Sequence, residues 1–210
     1  MKICCVGYRD WALKIYDDLS HHFDTLIIKE FNEDKLRGYD PDYVLFYGWS
    51  DIIDEKLLSD FYCIMLHPAP LPRYRGGSPI QNQIIRNEKE SAVTLFKMDK
   101  GIDTGPIIVQ ESLSLEGHLN DIFDRISDIG FKLTKDILSN GFEAVEQDSS
   151  KATYFSRRTP SMSEITKEEL EALDGEYLYN KIRMLEDPYP NAFITMSDGR
   201  KLKIKFAEIN

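Results

Sequence analysis

His67 opens the segment His67-Pro68-Ala69-Pro70-Leu71-Pro72-Arg73-Tyr74-Arg75-Gly76-Gly77-Ser78-Pro79, directly after a short apolar run. A histidine so placed suits proton transfer, because its ring changes charge near neutral pH. Pro68, Pro70 and Pro72 hold the chain that follows in an extended, low-entropy path, so the ring is fixed before a substrate arrives. Ser78 followed by Pro79 predicts the cap and first turn of a helix whose free N–H groups face the same loop. Gly76 and Gly77 permit close backbone approach, and Arg73 and Arg75 add positive charge, a combination suited to phosphate. The same residues also read as a surface proline loop with solvated arginines, and their types alone leave both readings open.

The second constellation is Met98-Asp99-Lys100-Gly101-Ile102-Asp103-Thr104-Gly105. Its glycines flank Asp103 and expose backbone donors and acceptors of the kind that recognise the edge of a flat heterocycle. A carboxylate aimed at His67 would bond one ring nitrogen and set the tautomer, leaving the other nitrogen to exchange a proton with a reacting amine. A hairpin turn whose aspartate caps its own backbone fits the same residues.

These loops need a frame. Residues 2–6, 25–28, 43–47 and 63–66 are apolar runs without polar alternation, the pattern of strands buried on both faces of a parallel sheet. Asp10 is a plausible N-cap for a helix with the stripe Ala12, Ile15, Tyr16, Leu19, Phe23. Strands at 93–98 and 107–110 bracket the Asp103 loop, and an amphipathic helix carries Ile122, Ile126, Ile129, Leu133 and Ile137 toward Gly141. The alternation predicts an α/β fold with a doubly wound, Rossmann-like, parallel-rich sheet. His67 then lies where such sheets bind ligands, beyond the carboxyl ends of the strands. The pattern turns polar from Gln147 to Ser163, as in a linker or a strap lying across the first unit. Thr166 and Glu169 then form a capping box, a helix covers about 177–186, and a hairpin at 193–196 and 202–206 turns at Asp198-Gly199. The expected division is a catalytic domain at 1–146, a strap at 147–163 and a small helix-and-hairpin unit at 164–210.

The 210 residues suffice for a core, and 36 acidic against 26 basic residues leave a net charge of -10, which disfavours nucleic acid as the main partner. The apolar run after Lys2 ends before Arg9 and Asp10, too short for a signal-peptide core, and no stretch suits a bilayer. Cys4, Cys5 and Cys63 lie in strand-like segments without metal-ligand spacing and read as buried thiols. The expectation is a cytoplasmic protein with a small-molecule partner, no metal and no membrane.

Together the two loops resemble the formyltransferases that use 10-formyltetrahydrofolate. That family reads Asn-x-His-x-Ser-Leu-Leu-Pro-x-x-x-Gly and later Asp-x-Gly, matched here by Met65-Leu66-His67-Pro68-Ala69-Pro70-Leu71-Pro72-Arg73-Tyr74-Arg75-Gly76 and Asp103-Thr104-Gly105. Tyr47-Gly48-Trp49 falls where the family has a strand end beside the folate. The segments at 152–160 and 187–193 resemble parts of the bacterial enzyme that formylates a UDP-linked 4-amino-4-deoxy-arabinose. The resemblance implies the formyltransferase fold, 10-formyltetrahydrofolate as donor, and direct transfer to an amine, with His67 moving the proton and Asp103 orienting it. It implies a donor site at Tyr47, Gly48, Trp49, Met98, Gly101 and Asp103. The acceptor would meet Arg9, Arg73, Tyr74, Arg75, Gly76, Gly77 and Gln81, with Trp11 or Tyr74 stacking on a base. One departure stands out: Met65 replaces the asparagine whose amide donates to the formyl oxygen in the family. Substitute donors are the ring N–H of His67, a backbone N–H of the Asp103 loop, Gln81 or Asn82.

The favoured acceptor is a nucleotide-linked amino deoxy sugar, first a UDP-4-amino-4,6-dideoxy-N-acetyl hexosamine of the kind that feeds pseudaminic acid and bacterial surface glycans. A dTDP-linked amino sugar comes next, then methionyl-tRNA or glycinamide ribonucleotide. A tRNA enzyme should carry a larger carboxyl-terminal domain and a basic surface, against the -10 here. A folate-binding relic without turnover, its asparagine lost, is the reading from a different class. The terminal hairpin reads equally as an edge for a homodimer or as an element packed on its own domain.

Overall fold

The computed structural model describes residues 1–209. In chain order the elements are β1 (Lys2–Val6), α1 (Asp10–Ser20), β2 (Asp24–Ile28), α2 (Glu33–Tyr39), β3 (Tyr43–Tyr47), α3 (Glu55–Asp60) and β4 (Cys63–His67). They continue as β5 (Arg75–Gly76), α4 (Pro79–Ile84), β6 (Glu90–Lys97), β7 (Ile107–Ser114), α5 (Leu119–Asn140) and β8 (Tyr154–Phe155). Helices α6 (Lys167–Ala172) and α7 (Gly175–Arg183) and the hairpin β9 (Ala192–Thr195) and β10 (Lys201–Ile204) close the chain.

One sheet has the order β2-β1-β3-β4-β6-β7. β1 to β4 run parallel, and β6 and β7 are antiparallel additions. This is the α/β, parallel-rich architecture expected. The chain steps from β1 to one side and returns for β3 on the other, so the connections diverge between those strands and leave a crevice at their carboxyl ends. The Tyr16 hydroxyl fixes that point: it donates to the Val6 carbonyl at 2.9 Å and accepts the Tyr47 N–H at 2.6 Å. Helices α1 and α5 pack together on one face, where a Cβ at Gly130 would stand 2.7 Å from Ile15 and Leu66 side-chain carbons. Ile165, Met184, Leu185 and Ala192 share this core, and so the carboxyl-terminal elements add to the hydrophobic cluster of the sheet.

Several local expectations change. Asp10 is the first helical residue of α1, and Arg9 holds the cap position without a side-chain bond. The strand expected at 63–66 extends through His67, whose backbone is thereby fixed by the ladder to Thr94. Ser78 precedes α4 but sits at φ 50° without capping it; its hydroxyl accepts the Arg158 N–H at 3.1 Å. The capping box at Thr166 and Glu169 forms as expected. The long helix also ends where expected, at Gly141 with φ 79°.

Cys4, Cys5 and Cys63 are free and buried. Burial pushes the thiols of Cys4 and Cys63 up to about 12 and that of Cys5 well above its ordinary value. The thiolate is the reactive form, so the folded protein should resist a disulfide reagent at pH 8 and expose all three thiols once denaturant is added. Rapid reaction in the native state would contradict this packing. Among the described residues no helix is long and apolar enough to cross a membrane, and no group of side chains is arranged to hold a metal ion.

Candidate active site

His67 ends β4 with its ring 5% exposed, and the proline loop after it is pinned by side chains. Gln83 donates to the Pro68 carbonyl at 3.0 Å, Thr94 to Ala69 at 2.7 Å and Gln110 to Leu71 at 3.2 Å. These bonds satisfy backbone groups that a buried loop would otherwise leave unpaired. The ring is set by the backbone as well: Nε2 donates to the Tyr74 carbonyl at 2.8 Å. A carbonyl only accepts, so Nε2 carries the proton and Nδ1 is the nitrogen available to a substrate.

Nδ1 lies 3.6 Å from Oδ2 of Asp103. That carboxylate accepts the Gly76 N–H at 2.7 Å and is itself 9% exposed. The expected division of labour therefore changes. A backbone carbonyl sets the tautomer of His67, and Asp103 stands across the free nitrogen, where a proton gained by the ring would face its charge. Asp103 adopts φ 54°, and its carbonyl and that of Gly105 both accept from the Gln147 amide, at 2.9 and 2.7 Å.

The pair borders a cavity of about 700 Å³, within the usual range for small-molecule sites. Of the residues singled out in the sequence, Arg9, Gly48, Trp49, Met65, Met98, Gly101, Gly76, Gly77 and Gln81 line it with His67 and Asp103. Trp11 lines it too and continues with Arg9 into a flanking hollow of about 370 Å³. Met65 stands beside His67's face of the sheet, two residues earlier on β4, where alternate side chains share a face.

Four expected ligand residues are placed elsewhere. Tyr47 is buried in the core, its hydroxyl 2.9 Å from that of Thr134, because the residue ending β3 faces α5 and the next two face the cavity. Arg73 is exposed and outside the cavity lining. Tyr74 turns inward, stacks on Phe155 with ring centroids 4.9 Å apart and donates to Glu88 at 2.8 Å. Arg75 is 1% exposed, with Nε and Nη2 donating to Gln147 at 3.1 and 2.7 Å and Nη1 to the Tyr154 hydroxyl at 2.6 Å. The expected phosphate cradle is also filled from within, since Gly76 N–H serves Asp103 and Gly77 N–H serves the Phe155 carbonyl.

What sequence reasoning missed is the strap as a wall. β8 pairs in parallel with β5, and Phe155 to Pro160 line the cavity. Gly76 and Gly77 permit this approach: a Cβ at Gly76, where φ is 96°, would lie 2.3 Å from the Phe155 carbonyl oxygen, and one at Gly77 2.5 Å from Arg157 Cα. Arg157 reaches over to the Ser50 carbonyl at 3.4 Å. Burial draws the Arg158 guanidinium below the usual arginine range, a cost that a bound anion would offset.

Among the described residues the buried side-chain nitrogens without a partner are Trp49 Nε1, Gln81 Nε2, Arg125 Nε and Arg158 Nε, and all of these residues except Arg125 line the cavity. Unpaired buried donors are costly, and their concentration in one cavity points to a ligand rich in acceptors.

The sequence profile of the formyl transferase family matches residues 25–133, more than half of the chain. The chain belongs to the formyl transferase family. Among individual relatives, a methionyl-tRNA formyltransferase of Lysinibacillus sphaericus is 33% identical over 193 residues, 84% of this chain and 60% of that protein. The chain thus spans about 60% of the length of that curated relative. A solved methionyl-tRNA formyltransferase from Clostridium thermocellum superposes with a TM-score of 0.85 at 32% identity, covering 97% of both chains. A 4-N formyltransferase from Francisella tularensis (TM-score 0.76, 22% identity, 99% of this chain and 98% of that one) shares the fold. So does HypX from Aquifex aeolicus solved with tetrahydrofolic acid (0.80, 15%, 99% of this chain and 37% of that one).

Proposed function

We propose that this family member transfers a formyl group from 10-formyltetrahydrofolate to the amine of a nucleotide-linked amino sugar. The observation that carries the reading is the His67–Asp103 pair, with Nδ1 of His67 open and 3.6 Å from the carboxylate, at the wall of a cavity lined by unpaired donors. The donor molecule fits that lining. Trp49, Met98 and Gly101 offer an apolar slot that holds the unpaired indole N–H of Trp49, and the exposed Ile52 and Ile102 extend the apolar lining.

The donor supplies the formyl carbon; the chain supplies position and proton control. The amine adds as a neutral nucleophile and loses a proton as its bond to carbon forms. His67 Nδ1 accepts that proton, with the Asp103 carboxylate 3.6 Å away across it. The ring does not reorient, because Nε2 stays bonded to the Tyr74 carbonyl. It then returns the proton to the departing folate nitrogen.

The acceptor is inferred from charge and enclosure. Within a chain of net charge -10, Arg9, Lys100, Arg157 and Arg158 line one cavity, an arrangement suited to a diphosphate. The strap roofs the site, favouring a slender acceptor. Methionyl-tRNA is the second reading, supported by the names of the relatives at 32–33% identity.

The test is a turnover assay with 10-formyltetrahydrofolate and a panel of UDP- and dTDP-linked amino sugars, glycinamide ribonucleotide and methionyl-tRNA. Formylation of one sugar with tRNA left unchanged is expected; preferential formylation of the tRNA would replace the sugar reading. In the same assay Met65→Asn should preserve or raise turnover, and a large loss would show a site rebuilt around the thioether.

A further inference from the structure

We propose that Gln81 is the side-chain donor to the formyl oxygen, the role that a methionine at position 65 cannot fill. This deepens the formyl-transfer reading and rests on it. In the transfer the amine nitrogen bonds to the formyl carbon, the bond from that carbon to the folate nitrogen breaks, and its electron pair stays on that nitrogen. The proton lost by the amine goes to the folate nitrogen through His67. Negative charge builds on the formyl oxygen meanwhile, and a donor already in place lowers the barrier. A thioether sulfur has no proton to donate.

The structure narrows the substitutes. His67 Nε2–H is engaged by the Tyr74 carbonyl. Asn82 donates to the Gly77 carbonyl at 2.9 Å, and Gln83 donates to the Pro68 and Pro79 carbonyls at 3.0 Å. Gly101 N–H is bonded to Asp99 and Gly76 N–H to Asp103. Gln81 differs from all of these. It is 3% exposed, lines the cavity with Met65, His67 and Asp103, and its Nε2 has no partner. Such a buried amide is expected to be paired, and its orphan state marks a missing acceptor. No internal bond fixes the amide plane, and the last torsion of glutamine is soft, so its NH2 can turn to an oxygen in the cavity. Its helix is tied to the reacting pair: Gln83 of α4 holds the residue after His67, and Ser78 before it anchors the strap. Among the described residues Trp49 Nε1 is the other unpaired buried neutral side-chain donor, but it stands just past β3 among Tyr8, Phe31 and Phe46.

Two readouts test the assignment. The first is steady-state kinetics of Gln81→Leu with 10-formyltetrahydrofolate and the best acceptor of the panel. We expect kcat to fall by about 10²- to 10³-fold with donor KM changed little, as for loss of one oxyanion donor. Adding Met65→Asn to Gln81→Leu should restore much of the rate. The second is the infrared carbonyl stretch of 10-formyl-5,8-dideazafolate, labelled with carbon-13 at the formyl carbon and bound to each protein. The stretch should lie at lower frequency on the wild type than on Gln81→Leu, and Trp49→Phe should leave it in place. Normal kcat in Gln81→Leu, or a stretch that responds to Trp49→Phe and not to Gln81→Leu, would overturn the proposal while leaving formyl transfer intact. Absence of wild-type turnover with every acceptor would instead remove the reading on which it rests.

Discussion

His67→Ala should lower kcat/KM by about 10²- to 10⁴-fold, the range for losing a positioned proton-transfer group, while the protein remains folded. The ring makes one polar bond to the rest of the chain, from Nε2 to Tyr74, so its removal leaves β4 and the pinned proline loop in place. Asp103→Asn should fall in the same range for a different reason. Asparagine can still accept the Gly76 N–H, so the loop geometry survives, but the charge facing Nδ1 is gone. The two groups act on one proton, so the double variant should be little worse than the poorer single one. Steady-state rates beside circular dichroism of each variant check this. Near-normal rates in both single variants would end the assignment.

Arg75→Ala should destabilise the protein by about 3 kcal/mol, the scale for removing hydrogen bonds to a buried charged group. Arg73 and Arg75 looked equivalent as phosphate ligands in the sequence, but the guanidinium of Arg75 bonds Gln147 and Tyr154, and Gln147 in turn holds the carbonyls of Asp103 and Gly105. The variant should therefore loosen the strap and the Asp103 loop together. Denaturant unfolding and limited proteolysis near residues 147–155 would read the loss, and kcat should fall with it. A phosphate ligand would behave differently: Arg75→Ala would then raise the acceptor KM alone at unchanged stability.

The difference between those two arginines shows where sequence reading ends. β1, β3 and β4 were legible because a strand buried on both faces is a run of apolar residues, a property of the local chain. Helices α2 and α3 escaped notice because each buries a single residue, Leu36 or Leu57, too little for a periodic signal. His67 and Asp103 were legible as a pair of chemical types at family spacing, but the nitrogen that faces the carboxylate was not. That depends on the Tyr74 carbonyl, brought there by a left-handed turn at φ 61°. Tyr47 and Trp49 lie two residues apart at one strand end, and only the packing of α5 decides that the tyrosine belongs to the core. The segment at 147–163 read as a linker or strap, but not as a wall of the cavity, because that role comes from pairing with β5, some eighty residues earlier in the chain.

The strap also supplies positive charge to the cavity wall. Arg157 and Arg158, which follow β8, line the cavity with Arg9 and Lys100, beside the carboxylates Asp51, Asp99 and Asp103.

The most direct test of formyl transfer at His67 follows tetrahydrofolate release and the mass of the acceptor in one reaction, with wild type and His67→Ala run in parallel. The account predicts one formyl gained per tetrahydrofolate released by the wild type, on a nucleotide-linked amino sugar, and a rate at least about 10²-fold lower in the variant. Equal rates in the two proteins, or folate bound by the wild type with no acceptor formylated, would contradict it.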